Sequence, residues 1–557
     1  MSERRFFIKD PLWKTIELAP WEMGVISHYF VNRLHSVVQN SSAFKVYPGM
    51  RHTRFVHSVG AVHVVSEMFV NAALNTEGSS LTAMEAEGDW AAAQLQQSPL
   101  LPKIIAWPGQ RGCPERLRVL HGALRVGALV HDIGHMPYSH IFEFALEQAI
   151  KRGVEPLQRT ILPSHHDETK QLDRVVGVLR ELLSSEEHDG HKLHELIGRT
   201  LIGVLAKDLG GDAGDLVALA AKILHNESAP IARSFLEQDV DADRIDFIAR
   251  DGLFSGAYQS GVDHSRLFAF YEIAAEKNGA LRARPSSRAS GESEKLLLER
   301  FQDYLHIAAH HRVHFFDELL ERVILVTLLR GKLNQLLEAI ARLADADEGG
   351  SYSDEVRRAE AKRDLISYGD DAALDVEIRS LHAEVLKSGN GESERLHLIL
   401  EGLTERRGLF VSLFKTGRTL DHRVKDAIEE LSSLGDGSEA DPDAARSAIA
   451  LLVKEQKFEL ERSIELSLAG RVKVVIVGDV YGKTRVGIDS DSTAQFFGME
   501  AVRDFMKDKR LDMPPFNVWF VPLDRSPESL EGIRSDIIAL VINHVKEAMK
   551  DGTEDAN

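Results

Sequence analysis

Apolar residues recur at three- and four-residue spacing over long stretches of the chain, and this limits its folds more than any other feature. "ELAPWEMGVISHYFVNRLHSVV" (17 to 38), "HSVGAVHVVSEMFVNAAL" (57 to 74), "RLRVLHGALRVGALVHDIGH" (116 to 135) and "HFFDELLERVILVTLLRGKLNQLLEAIARLA" (314 to 344) each carry that period. The 3.6-residue repeat predicts amphipathic or fully buried helices, so the expected body is mainly α. Only near the C-terminus does the pattern change. "RVKVVIVGDVYGKTRVGID" (471 to 489) and "FNVWFVPL" (516 to 523) are rich in β-branched and aromatic residues and predict a small sheet there.

At 557 residues the chain has room for two to four domains and large cores. Residues 75–115 are polar and acidic, then rich in proline and glycine, and are expected to form an insertion between two core helices. "KSGNGESER" (387 to 395) and "SLGDGSEADPDAARS" (433 to 447) read as surface loops, and the final "KDGTEDAN" as a frayed tail. The expected division is a catalytic core over 1–330, a helical extension over 331–465 and a small α/β region over 466–557. Internal repeats are not evident.

A single cysteine, Cys113, excludes an intrachain disulfide and fits a reducing cytoplasm. Nothing resembles a leader, and no apolar run approaches the length of a membrane span, so a soluble cytoplasmic protein is expected. A formal net charge of −19 argues against broad nucleic-acid binding, and a polyanionic ligand would need a local basic pocket.

The densest chemistry lies in "HDIGHMPYSH" (131 to 140). His131 and Asp132 are adjacent at the end of an apolar helix, where side chains about 100° apart can share one ion only at a helix edge. Further ligand types occur at His57 in "RHTRFVHSVG" and at Asp243 and Asp246, one turn apart in "DVDADRIDFIARD". Such a mixed nitrogen and oxygen set suits Mn, Fe, Co, Ni, Zn or Mg rather than a thiolate-seeking ion. Taken singly, a histidine or a helical aspartate pair is more often a solvated or packing feature than a ligand. The joint occurrence carries the reading.

The ordered series "VYPG" and "HTRFVHS", then "HDIGHMPYSH", then "DADRIDFIARD" resembles the HD-domain phosphohydrolases, and within them the deoxynucleoside triphosphate triphosphohydrolases. The likeness begins at "DPLWKTIELAPWE", continues through "RDGLFSGAYQSGVDHSRL", and covers roughly residues 10 to 330. It implies a helical HD-domain core in which His57, His131, Asp132 and Asp243 hold one divalent metal ion. It also implies a catalytic histidine from an "H-E" segment, matched to "LPSHHDETKQ", with His166 as first choice and His165 as second. By the same resemblance His135 and His140 face the triphosphate, Asp246 joins the catalytic group, Arg54 binds phosphate, and Asn32 falls where relatives have a glutamine beside the sugar. Two departures concern the sugar. Phe247 stands where a tyrosine is usual, and His314 in "HHRVHFFDE" replaces a sugar-packing tyrosine, with Tyr258 a candidate substitute.

The implied reaction is hydrolysis of a nucleoside triphosphate at the α-phosphate, giving nucleoside and inorganic triphosphate. Alternatives are another HD phosphohydrolase, acting on nucleoside monophosphates, alarmones or nucleic-acid ends, or a nucleotide sensor without catalysis. The resemblance further implies a homo-oligomer, for which the long apolar helix after His314 offers a packing face.

Overall fold

The computed structural model describes residues 5–155, 172–174, 176–177, 180, 193–225, 228–276, 278–344, 352–388, 391–405, 410–414, 422–432, 449–450, 452–453, 455–478, 516–522 and 526–554. Among these the architecture is mainly α, with three small antiparallel sheets. Strands β1 (Phe6–Asp10) and β2 (Lys14–Leu18) form an N-terminal hairpin in which Phe6 faces Leu18. A second hairpin pairs β3 (Tyr271–Ala275) with β4 (Leu281–Pro285). The third sheet has the order β5 (Val411–Ser412), β7 (Phe516–Pro522), β6 (Val472–Gly478).

Seven helices matter most for the site: α1 (Arg54–Asn75), α2 (Arg118–Val130), α3 (His140–Arg152), α4 (Leu193–Leu209), α5 (Ala242–Ser255), α6 (Ser290–Asp303) and α7 (His311–Leu329). Helix α2 is buried from Val119 to Val130, as befits a helix apolar on nearly every side, and it packs against α1, which in turn packs against α5. The two polar groups α2 carries inward are both satisfied. Arg125 makes a two-pronged pair with Glu22, at 2.6 and 2.8 Å, and His121 hydrogen-bonds Gln110 at 2.9 Å.

Several sequence expectations change in detail. The 17–38 segment forms a helix only over Pro20–Ser27, followed by a short turn of helix at Tyr29–Asn32 and a 3-10 turn. The helix expected over 116–135 ends at Val130, so "HDIGHMPYSH" is a chain of turns up to the start of α3. The run from 314 to 344 is divided into α7 and Asn334–Ala344, with Gly331 at φ 68° between them. Residues 75–115 are part of the body: the helix Gly78–Gln94 buries Met84 and Ala91 in the main core, and Trp107 meets Trp21 edge-on at 5.5 Å.

Residues on both sides of position 330 share that core, since Leu336, Leu365, Leu374 and Leu400 join it. A separate apolar cluster forms around the β5-β7-β6 sheet and helices Lys457–Ser467 and Pro527–Glu554. That sheet therefore takes a strand from position 411, well before the expected start of the α/β region. Helices end at Ser388 and resume at Gly391 within the expected 387–395 loop. Residues 433–447 lie outside those described. The last helix runs to Glu554, through most of the segment expected to fray. The apolar face of α7 is consumed internally, with almost every residue from Val313 to Leu329 buried, so it is not a free packing face between subunits. No helix among the described residues is long and apolar enough to cross a membrane.

Candidate active site

His57 lies in α1, fully buried, and its ring is fixed from behind. Its Nδ1–H donates to Asp246 Oδ2 at 2.8 Å, and Asp246 also accepts from Trp13 Nε1 at 2.5 Å and from Arg250 at 2.8 and 2.9 Å. Arg250 is held in turn by Asp10 of β1, 3.0 Å away. With Nδ1 bound, the free position of His57 is Nε2. His131 is oriented in the same way: its Nδ1–H donates to the Ala128 carbonyl at 2.9 Å, and Nε2 points forward.

The two forward nitrogens meet two carboxylates. His57 Nε2 is 2.9 Å from Asp243 Oδ1 and 3.6 Å from Asp132 Oδ2, while His131 Nε2 is 3.6 Å from both Asp132 Oδ1 and Asp243 Oδ1. Both Nε2 atoms are buried and lack hydrogen-bond geometry to any neighbour. Buried ring nitrogens in this condition, facing carboxylate oxygens across a shared centre, fit a divalent cation. The charge balance agrees. Burial would lower His57, yet the carboxylates of Asp243 and Asp246 push it up to about 10, so the cluster attracts a positive charge. Burial works the other way on Asp132 too, but Arg54, His131 and His135 hold its carboxyl well below the usual carboxylate range.

A second polar group abuts the first. The rings of His135 and His194 are stacked with centroids 4.1 Å apart, and His140 meets His135 edge-on at 4.8 Å. Glu143, one turn into α3, accepts from the His194 backbone N–H at 2.9 Å, from His194 Nδ1–H at 2.9 Å and from His140 Nδ1–H at 3.2 Å. Burial would raise Glu143, but these two imidazoles keep it far below the usual carboxylate range. His135 is pushed well below the usual histidine value, first by burial and then by Arg54 and His194, and is neutral.

Helix α4 approaches this closely only because position 134 is glycine. A Cβ there would lie 2.0 Å from the His194 carbonyl oxygen and 2.4 Å from the Gly198 nitrogen. Both groups open onto one cavity of about 470 Å³, which Arg54, Arg199, Arg233, Arg244 and Arg300 also face. Asp132, Glu195, Glu237, Asp243, Asp251 and Asp303 line it as well, so the cavity gathers charges of both signs, with the arginines as its cations.

The structure thus brings His57, His131, Asp132 and Asp243 together and sets Arg54, His135 and His140 along the same cavity. Arg54 donates to Asp132 Oδ2 at 2.6 Å and to Ser139 Oγ at 2.8 Å. Besides His57, which is fully buried, four sequence-derived candidates do not line the cavity. Asp246 sits wholly buried behind His57 and acts on the site only through it. Asn32 is exposed and elsewhere, while Gln39 lines the cavity. Tyr258 donates to the Ile248 carbonyl at 2.6 Å, and His314 is buried within α7. Phe247 and Tyr304 are the aromatic residues at the cavity wall. His165 and His166 lie outside the described residues.

His194 and Glu143 were not singled out from the sequence. One signal was present: His194 is followed by Glu195, a literal "H-E" pair. Glu143 had only its i+3 spacing from His140.

The comparisons bear on this geometry. No protein-family model matches the chain. The uncharacterized protein MJ1154 of Methanocaldococcus jannaschii is 22% identical over 345 residues, 61% of this chain and 53% of that protein. The deoxynucleoside triphosphate triphosphohydrolase SAMHD1 of Bos taurus is 24% identical over 274 residues, 48% of this chain and 38% of that protein. The chain resembles the HD-domain phosphohydrolases. It spans about half or less of the length of these curated relatives. Among solved structures, a phosphohydrolase of Bacteroides thetaiotaomicron aligns with 94% of this chain and 100% of its own at a TM-score of 0.49 and 14% identity.

Proposed function

We propose that the protein is a metal-dependent phosphohydrolase that cleaves deoxynucleoside triphosphates to nucleoside and inorganic triphosphate. One observation carries the reading: a candidate metal-ligand set, a half-buried His–Glu pair and a cavity lined by five arginines are contiguous. His57, His131, Asp132 and Asp243 would hold the ion. Such an ion, when bound, lowers the pKa of a coordinated water and offsets phosphate charge.

The chain's own groups account for the rest. Arg54, between Asp132 and Ser139, would present its guanidinium to the phosphates, with His135 and His140 along the same wall of the cavity. In the step proposed, a water oxygen bonds to the α-phosphorus while the bond from phosphorus to the 5′ oxygen breaks on the opposite side. The leaving oxygen takes a proton from His194 Nε2, and the proton lost by the water restores His194 over the cycle. Glu143 holds the His194 ring through Nδ1, which keeps Nε2 toward the cavity. Gln39, Phe247 and Tyr304, which line the cavity, would meet the sugar and base.

The test is product analysis on metal-loaded protein offered each dNTP and rNTP, nucleoside monophosphates and an alarmone, with Mn²⁺, Co²⁺ and Mg²⁺ compared. Nucleoside plus intact triphosphate is expected from one or more dNTPs. Orthophosphate or pyrophosphate as the product would move the protein to another class of HD enzyme.

A further inference from the structure

The turns between α2 and α3 contain two non-glycine residues in the left-handed region, Tyr138 at φ 56° and Ser139 at φ 54°. Neither is a residue type that adopts this conformation readily, so the surroundings must impose it. The groups that impose it come from two distant parts of the chain. Ser139 Oγ–H donates to the Val38 carbonyl at 2.7 Å, and Ser41 Oγ–H donates to the Tyr138 carbonyl at 2.9 Å. The remaining contacts come from residues 369–375, in the helical extension.

Asp371 is the first residue of the helix Asp371–Ser388 and is nearly fully buried. Its Oδ1 accepts the Tyr138 N–H at 2.7 Å and its Oδ2 accepts the Val38 N–H at 3.0 Å. One carboxylate thus joins the loop that carries His135 and His140 to the segment that carries Gln39. Asp375, one turn later, accepts the Tyr138 hydroxyl at 2.6 Å. On the other side, Arg33 donates to the carbonyls of Ile133, at 2.5 Å, of His135, at 2.8 Å, and of Gly369, at 2.9 Å. The helical extension therefore holds the loop directly at Tyr138 and, through Arg33, at Ile133 and His135. Ser139 in turn accepts from Arg54 at 2.8 Å, so the grip reaches the phosphate-facing guanidinium.

We propose that Asp371, assisted by Asp375, is a positioning residue that holds Arg54, His135 and His140 in register with the phosphates. The inference rests on the phosphohydrolase reading above. Asp371 touches none of the four ligand residues. Metal binding and phosphate handling should accordingly separate when it is changed.

The experiment uses the full chain and the variant Asp371→Asn, which keeps one acceptor oxygen but turns an amide –NH₂ toward one of the two backbone N–H groups. Three quantities are measured: Co²⁺ affinity with the visible spectrum of the bound ion, calorimetric affinity for inorganic triphosphate, and kcat and KM for the best dNTP. In the variant, Co²⁺ affinity and spectrum should stay within about twofold of wild type. Triphosphate affinity and kcat should each fall roughly 10- to 100-fold, kcat by more than KM rises. Wild-type triphosphate affinity and kcat would overturn the proposal. So would a loss of Co²⁺ binding in parallel with activity, since that pattern marks general unfolding.

If Asp371→Asn does not fold, Tyr138→Phe removes only the bond to Asp375. Several-fold loss of triphosphate affinity at unchanged Co²⁺ affinity is then expected, and no loss overturns the grip. Wild-type protein that binds Co²⁺ but not inorganic triphosphate would overturn the underlying phosphate reading, and that result is seen before any variant is made.

Discussion

Replacing Gly134 by alanine tests how the site is assembled. The backbone of Gly134 has no positive φ, so the demand for glycine here is a demand for space. An added Cβ would sit 2.0 Å from the His194 carbonyl oxygen, 2.4 Å from the Gly198 nitrogen and 2.8 Å from its Cα. All three are backbone atoms of α4, so no side chain can swing aside, and ordinary contact at about 3.5 Å requires the helix to retreat by roughly 1 Å or more. His194 rides on that helix. Its 2.9 Å bond to Glu143 would lengthen past hydrogen-bond range, and its 4.1 Å stack on His135 would open. A displacement of about 1 Å at a reacting group can cost roughly 100-fold in rate, or about 2.7 kcal/mol in the barrier. Overpacking itself should remove about 1–3 kcal/mol of stability. The proposed metal ligands come from α1, α5 and the residues just after α2 rather than from α4, so Co²⁺ should still bind. The assay is kcat at saturating dNTP beside a urea midpoint and a Co²⁺ titration. A kcat within twofold of wild type with an unmoved midpoint would refute the argument that this glycine admits α4.

Four other outcomes are expected. Asp132→Ala or His131→Ala should abolish hydrolysis and lower metal content while far-UV circular dichroism stays helical; full activity at physiological metal levels would contradict the ligand assignment. Glu143→Gln should cut kcat about 100-fold with Co²⁺ affinity preserved, because it removes the charge that fixes the His194 ring, and an unchanged kcat in steady-state assays would exclude that role. His314→Tyr should leave the ratio of dNTP to rNTP turnover unmoved while costing about 1–3 kcal/mol in a denaturant melt, since the residue is buried in α7 away from the cavity. The fourth concerns pH. Burial, with Asp375 and Asp370 adding to it, raises Asp371 from 3.8 to about 7 against the pull of its two N–H partners, with the Tyr138 hydroxyl on Asp375 and the Arg33 guanidinium also close by. A folded value above the unfolded one means that the folded state binds the extra proton, so this group's contribution to stability falls as pH rises from about 4 to about 7, by at most about 1.4 kcal/mol per unit. Urea melts across that range should show a shallower decline in Asp371→Asn than in wild type.

Much of the His/Asp cluster proposed to hold the metal was legible in the chain because its chemistry is local. His131 and Asp132 are adjacent, their ligand types are fixed by residue identity, and His57 and Asp243 stand in short motifs whose order can be read. The helical class was equally legible, because a 3.6-residue period is a property of consecutive residues and survives whatever the helix packs against. Where the period failed, local backbone chemistry had intervened: Gly331 divides one apolar run, and the turns after Val130 stop another just where ligands are needed. The acidic and proline-rich look of residues 75–115 suggested an excursion from the body, yet Met84, Ala91 and Trp107 are enough to bury one face of it.

What the sequence by itself determined, then, is the inventory of candidate ligands and the helical class of the body. The choice of which donor meets which acceptor across the fold was decided only by tertiary structure. Glu143 and His194 are 51 positions apart, Trp13 and Asp246 are 233 apart, and Tyr138 and Asp371 are also 233 apart. A carboxylate has the same composition whether it faces water, a metal ligand or a strained loop. Its role depends on burial and on the partner that burial leaves it, and both are consequences of how helices with no sequence proximity pack together.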